Sequence, residues 1–102
     1  MNTTFAPSVV DVNVADPDVT PAVTKVHVGK TLHFTNNSRT FPNIEISFVG
    51  TSPAGAKTIF DGTTSVDVPV NDEGSFIYTI LHKSATGSQT SGPFAVRSCI
   101  AC

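Results

Sequence analysis

The fold of this chain is decided by residues 26–37, which have the sequence VHVGKTLHFTNN. Apolar and polar side chains alternate on both sides of Gly29. This period of two is typical of half-buried β-strands. The segment therefore predicts two strands, residues 22–28 and Thr31–Asn36, joined by a tight bend at Gly29.

Stretches with the same alternation recur along most of the chain, and segments rich in Pro, Gly, Asn and Asp separate them. Further strands are predicted at residues 8–14, 43–49, 58–60, 64–70, 75–81 and 93–97. Residues 83–91 are rich in Gly, Ser and Thr and predict a loop. No stretch has a helical period, so the sequence predicts an all-β fold, a Greek-key β-sandwich of seven or eight strands.

Length and composition limit the possible functions. The 102 residues predict one domain spanning positions 1–102. The net charge of −2 gives no basic surface for nucleic acid, and no apolar run approaches the ~20 residues of a membrane span. The N-terminal residues have no basic segment followed by an apolar stretch, so no signal peptide is expected in this chain.

Three stretches together resemble the cupredoxins, the family of plastocyanin and azurin. The first is residues 26–37. The second is FPNI at residues 41–44, and the third is GSFIYTILH at residues 74–82, followed by GPFAV at residues 92–96. The resemblance covers roughly residues 22–97 and implies a cupredoxin-like sandwich.

The resemblance also implies where copper ligands would stand. A blue-copper site uses two imidazoles, one thiolate and a weak axial ligand. The family pattern puts the thiolate at Thr79 and one imidazole at His82. The other imidazole would stand between Pro42 and Asn43, and the axial methionine would fall near Ser88. Because His82 alone matches, the sequence predicts a cupredoxin-like domain whose copper site is lost and which has no cofactor.

Two more histidines and one tyrosine stand beside this pattern. The alternation predicts that His27 and His33 point away from the core. They are either solvated surface side chains or ligands of a surface metal site. The resemblance places Tyr78 on the outer face of its strand, next to the position of the family's thiolate; the alternative is a packed or rim tyrosine with a polar tip.

Cys99 and Cys102 form a Cys-x-x-Cys pair at the end of the chain. A zinc site needs two further ligands, and a redox pair needs a helix start that lowers the first thiol's pKa. The remaining alternatives are a small terminal disulfide, free thiols, intermolecular cross-linking, or a chain cut inside a longer protein.

The sequence contains no nucleophile elbow, phosphate-binding glycine loop or His-Glu-x-x-His motif. We therefore expect a non-enzymatic binding or structural module, presenting residues 36–41 and 83–91 to a protein or small ligand. The alternatives are a metal-binding or electron-transfer protein using His82 with His27 or His33, or the terminal thiols, and a module that self-associates or cross-links through its cysteines. The resemblance implies a periplasmic or secreted location.

Overall fold

The computed structural model describes residues 9–15 and 18–100, and within them the chain is entirely β-structure and loops. The strands of this part of the chain are β1 Val9–Val14, β2 Val19–Thr20, β3 Val23–His27, β4 Thr31–Asn36, β5 Asn43–Phe48, β6 Ile59–Gly62, β7 Ser65–Pro69, β8 Gly74–Ser84 and β9 Gly87–Cys99. They form a four-stranded sheet of order β2-β1-β4-β7 and a five-stranded sheet of order β3-β9-β8-β5-β6. The predicted all-β sandwich is confirmed.

The described residues contain nine strands, one more than the upper limit of the prediction. The additional strand, Val19–Thr20, has two residues and is too short to show any alternation. The predicted start of β1 at Ser8 lies outside the described residues. Within the described part of the chain, no helix is long and apolar enough to cross a membrane.

The predicted loop at residues 83–91 is wrong. β8 continues to Ser84 and β9 begins at Gly87, so only Ala85 and Thr86 make the turn. Residues 88–90 are all exposed and polar, and they therefore lack the inward apolar pattern by which strands are recognised from sequence.

The inward-facing side chains of both sheets form one core. Tyr78 is fully buried in it, and the rings of Phe34, Phe48 and Phe94 lie 5.3 to 5.6 Å from its ring, measured between centroids. The expectation that Tyr78 lies on the outer face is wrong, because Tyr78 has the same parity along β8 as the buried Phe76.

A β-bulge interrupts the pairing of β8 with β9 beside this tyrosine. Tyr78 is opposite Phe94, whereas Ile80 is opposite Ser91. Two residues of β9, Gly92 and Pro93, therefore lie opposite the single residue Thr79 of β8. Gly92 has a φ of 117°, and a Cβ atom there would lie 3.2 Å from the Tyr78 carbonyl oxygen. Glycine therefore suits both the conformation and the close approach at this point.

The Tyr78 hydroxyl is buried and has no hydrogen-bond partner among the described residues. Burial raises the pKa of this phenol above its usual value, because the charged form would lose its hydration. An unpaired buried hydroxyl costs about 1–3 kcal/mol of stability.

We expect Tyr78→Phe to be as stable as the parent or more stable, by up to about 1–2 kcal/mol at neutral pH, because it removes this unpaired hydroxyl. The folded-state pKa is raised, so the parent should lose stability as the pH rises above the unfolded value of about 10, and Tyr78→Phe should lose less. Denaturant unfolding across this pH range measures both effects. Equal alkaline losses in the two proteins would contradict the assignment.

Candidate functional site

The candidate site is the end of the sandwich where the resemblance places copper. The loop between β4 and β5 and the β8–β9 hairpin meet there. This end also contains Pro42, Asn43, His82 and Ser88, four of the residues singled out from the sequence.

Thr79 and His82 lie on opposite faces of β8. Ile80 and His82 are buried toward the core, whereas Thr79 and Leu81 are half-buried on the outer face. Residues three apart on a regular strand point to opposite sides of the sheet. Because β8 remains paired with β5 from Tyr78 to Lys83, no loop brings the Thr79 and His82 side chains together.

His82 is packed inside the sandwich. Its side chain has no solvent-exposed surface, and its Nε2 atom is hydrogen-bonded to the Ser91 hydroxyl at 2.8 Å. The Phe41 ring packs against the imidazole, with 5.8 Å between the ring centroids. His82 therefore links the β8–β9 hairpin to the residues that precede β5.

None of the other positions of the family pattern carries an imidazole or a thiol. Pro42 is exposed, Asn43 begins β5 opposite Lys83, and Ser88 is exposed on the hairpin. Within the described ranges, no three His, Cys, Asp or Glu side chains are grouped so that they could hold a metal ion. A blue-copper ion requires a thiolate, and the residues at these positions do not fit it.

The three histidines lie in three different parts of the structure. His27 is exposed on the outer face of the five-stranded sheet. His33 is on the outer face of the four-stranded sheet, where its Nδ1 atom is 2.5 Å from Asp67 Oδ1. His82 is in the core between the sheets. The structure therefore does not bring either surface histidine next to His82.

Cys99 is disulfide-bonded and lies at the end of β9, opposite His27 on β3. Cys102, the other cysteine of the chain, lies outside the described residues. A pocket of about 230 Å³ adjoins Cys99 and is lined also by Lys25, Arg97 and Ser98.

The residue that organises the candidate site is Asn36, which belongs to the family pattern and begins the predicted binding loop at residues 36–41. Its Nδ2 atom donates to the Phe41 carbonyl at 3.0 Å and to the Thr63 carbonyl at 2.9 Å. Its Oδ1 atom accepts from the Ser38 backbone N–H at 3.0 Å. One amide thus joins the loop after β4 to the loop after β6. Its position at the end of a strand, followed by Asn-Ser, is the sequence signal for such a loop-capping role.

An open groove of about 450 Å³ lies beside this end. Its lining is Asn43, Ile44, Asp61, Gly62, Thr63 and Lys83. Lys83 Nζ is 3.3 Å from Glu45 Oε1, so one cation and two carboxylates lie at or near the groove. Asn36 holds one wall of the groove in place through the Thr63 carbonyl.

Comparison with known proteins connects the chain to the cupredoxins through its structure. The sequence matches no protein-family model, and no curated protein matches it. Among solved structures it is similar to a mutant of amicyanin in its Cu(I) form, with a TM-score of 0.58 and 13% sequence identity. The match covers 93% of this chain and 86% of the amicyanin chain. The fold is therefore cupredoxin-like, as the sequence resemblance predicts.

We expect Asn36→Ala to lower the free energy of unfolding by about 2–3 kcal/mol, because three side-chain hydrogen bonds are lost. Asn36→Asp should cost at least as much at neutral pH, since it sets a carboxylate against two carbonyl oxygens. Chemical denaturation measures both. Asn37→Ala is the matched control: its side chain makes an exposed contact with Asn13, and we expect a cost below about 1 kcal/mol. Equal losses at positions 36 and 37 would contradict the role given to Asn36.

Proposed function

We propose that this chain is a copper-free, non-enzymatic binding module built on the cupredoxin-like fold. The observation that carries the proposal is the regular course of β8, which sets Thr79 and His82 on opposite faces of the sheet. A hydroxyl stands where a thiolate is needed, and it points away from the one matching imidazole.

The surroundings of His82 support this proposal. To bind a metal through Nε2, the imidazole would have to give up its hydrogen bond to Ser91, inside a core that excludes water. Losing a buried hydrogen bond costs about 1–3 kcal/mol. Packing and hydrogen-bonding of the hairpin account for His82 without a metal.

The surface that we propose for binding is the end built on Asn36. It combines the loop at residues 36–41, the exposed tip of the β8–β9 hairpin and the open groove near Asp61 and Lys83. Loops held by a rigid sheet are common positions for recognition. A protein or small ligand with polar groups of both signs suits this lining, whereas nucleic acid does not suit a chain of net charge −2.

We also propose a periplasmic or secreted location. The resemblance to the cupredoxins supports it, and so does the disulfide bond of Cys99, because disulfides persist in oxidising compartments.

Copper titration tests the proposal, because the similar amicyanin structure is that of a Cu(I) form. The purified chain should show no strong blue charge-transfer band and no stoichiometric copper by elemental analysis. Thr79→Cys should also lack the blue band, since its thiol would lie on the outer face, and Thr79→Ser is the control without a thiol. A blue band in the parent chain, or one that appears in Thr79→Cys and disappears in Thr79→Cys combined with His82→Ala, would overturn the proposal.

A further inference from the structure

The two outer faces of the sandwich differ in chemistry. On the four-stranded sheet, the outward-facing residues of the three longer strands are mostly polar: Val9, Asp11, Asn13, Thr31, His33, Thr35, Ser65, Asp67 and Pro69. On the five-stranded sheet, a line of apolar side chains crosses the middle of the outer face. Its members are Val23, Ala95, Ile77 and Val49, with Ile59 beside them.

This apolar line is continuous from strand to strand. Val23 is opposite Ala95, Ala95 is opposite Ile77, and the Val49 N–H donates to the Ile77 carbonyl at 2.9 Å. The exposed fraction is 69% for Val49 and 43% for Ile77. Contiguous apolar surface of this kind is typical of an interaction site, whereas isolated exposed apolar residues are not.

Charges of opposite sign flank the line at two diagonally opposite corners of the same face. At one corner Lys25 is directly opposite Arg97. At the other corner Glu45 is directly opposite Asp61, with Lys83 3.3 Å from Glu45. Like charges directly opposite each other on neighbouring strands are destabilising. Lys83 offsets part of the repulsion at the acidic corner. Contact between the two corners would offset the repulsion that is left at each.

A two-fold axis lying in the plane of the face gives this contact. On β8, Arg97 is opposite Ser75 and Glu45 is opposite Leu81. Ser75 and Leu81 are six residues apart, so the two corners are separated by about 20 Å along the strands. β9 and β6 are three strand spacings apart, about 14 Å, so the corners are separated by about 25 Å. An axis perpendicular to this diagonal places each basic corner over the acidic corner of a second copy and lays the two apolar lines across each other. Such a contact is self-complementary, as two-fold interfaces require.

We propose that two copies of this chain associate through the outer faces of their five-stranded sheets, with Lys25 and Arg97 of each copy against Glu45 and Asp61 of the other. The face spans about 19 Å across five strands and about 20 Å along them. Its flat area of about 400 Å² is below the ~800 Å² per partner of a standard interface. Interfaces of this size are typical of weak, transient association, and we take a Kd on the order of 100 μM as the value to be tested.

Sedimentation equilibrium with a reductant present tests the proposal and separates this contact from disulfide cross-linking. The parent chain should dimerise as its concentration passes the Kd, and Ile77→Asp should weaken the dimer by at least about tenfold. Val9→Asp is the matched control, because Val9 is 41% exposed on the opposite, polar face and should leave the dimer intact. A parent chain that stays monomeric up to about ten times the expected Kd, on the order of 1 mM, would overturn the proposal. Equal effects of Ile77→Asp and Val9→Asp on dimerisation would also overturn it.

A charge-reversal pair tests the arrangement independently of the apolar line. Arg97→Glu and Asp61→Arg should each weaken self-association, because each places like charges at both contacts. A mixture of the two variants should form a heterodimer, because both contacts then join opposite charges. The double variant should also dimerise, and added salt should weaken all of these dimers. Variants that remain folded, by thermal melting, but show no preference for the mixture would overturn the pairing. The outcome is separable from the copper titration, since a monomer that binds no copper contradicts the dimer alone.

Discussion

The strict alternation of side chains along β8 is the constraint on which the rest of the structure depends. From Phe76 to His82, every second residue enters the core, and the intervening residues form the outer face. The same alternation buries Tyr78 among three aromatic rings, brings His82 to Ser91 and leaves Thr79 on the outside. Because the strand lies between β9 and β5, hydrogen bonds on both of its sides hold this assignment of faces.

The candidate site is organised by side-chain hydrogen bonds and a ring contact. Asn36 fixes two loops through three hydrogen bonds, and His82 joins the hairpin to the chain before β5. Both use side-chain chemistry to hold backbone segments where strand pairing ends. These contacts hold this end of the cupredoxin-like scaffold together.

Much of the fold could be predicted from the sequence, because burial of one face of a strand leaves a period of two. β4 shows this most clearly, with Leu32 and Phe34 inward and its predicted bounds equal to those observed. The hairpin end could not be found in this way, since residues 88–90 face solvent on both sides. For the candidate site, the family pattern includes Asn36 and His82, but it does not give their partners. Thr63 is 27 residues from Asn36, and Ser91 faces His82 only because residues 87–91 pair with β8 rather than forming a loop. For Tyr78 the resemblance implies the outer face and the alternative is a packed tyrosine; parity along β8 decides for the packed position.

The parallel pairing of β3 with β9 has a consequence for how the chain is assembled. β3 lies near the N-terminus, whereas its neighbour β9 ends at Cys99. Until β9 is available, β3 has no strand beside it in the five-stranded sheet and β8 has only β5. The five-stranded sheet can therefore close only after β9 has been synthesised. Folding depends on long-range pairing, which is intrinsically slow, and the unpaired edges of β3 and β8 are the surfaces that a nascent chain leaves open.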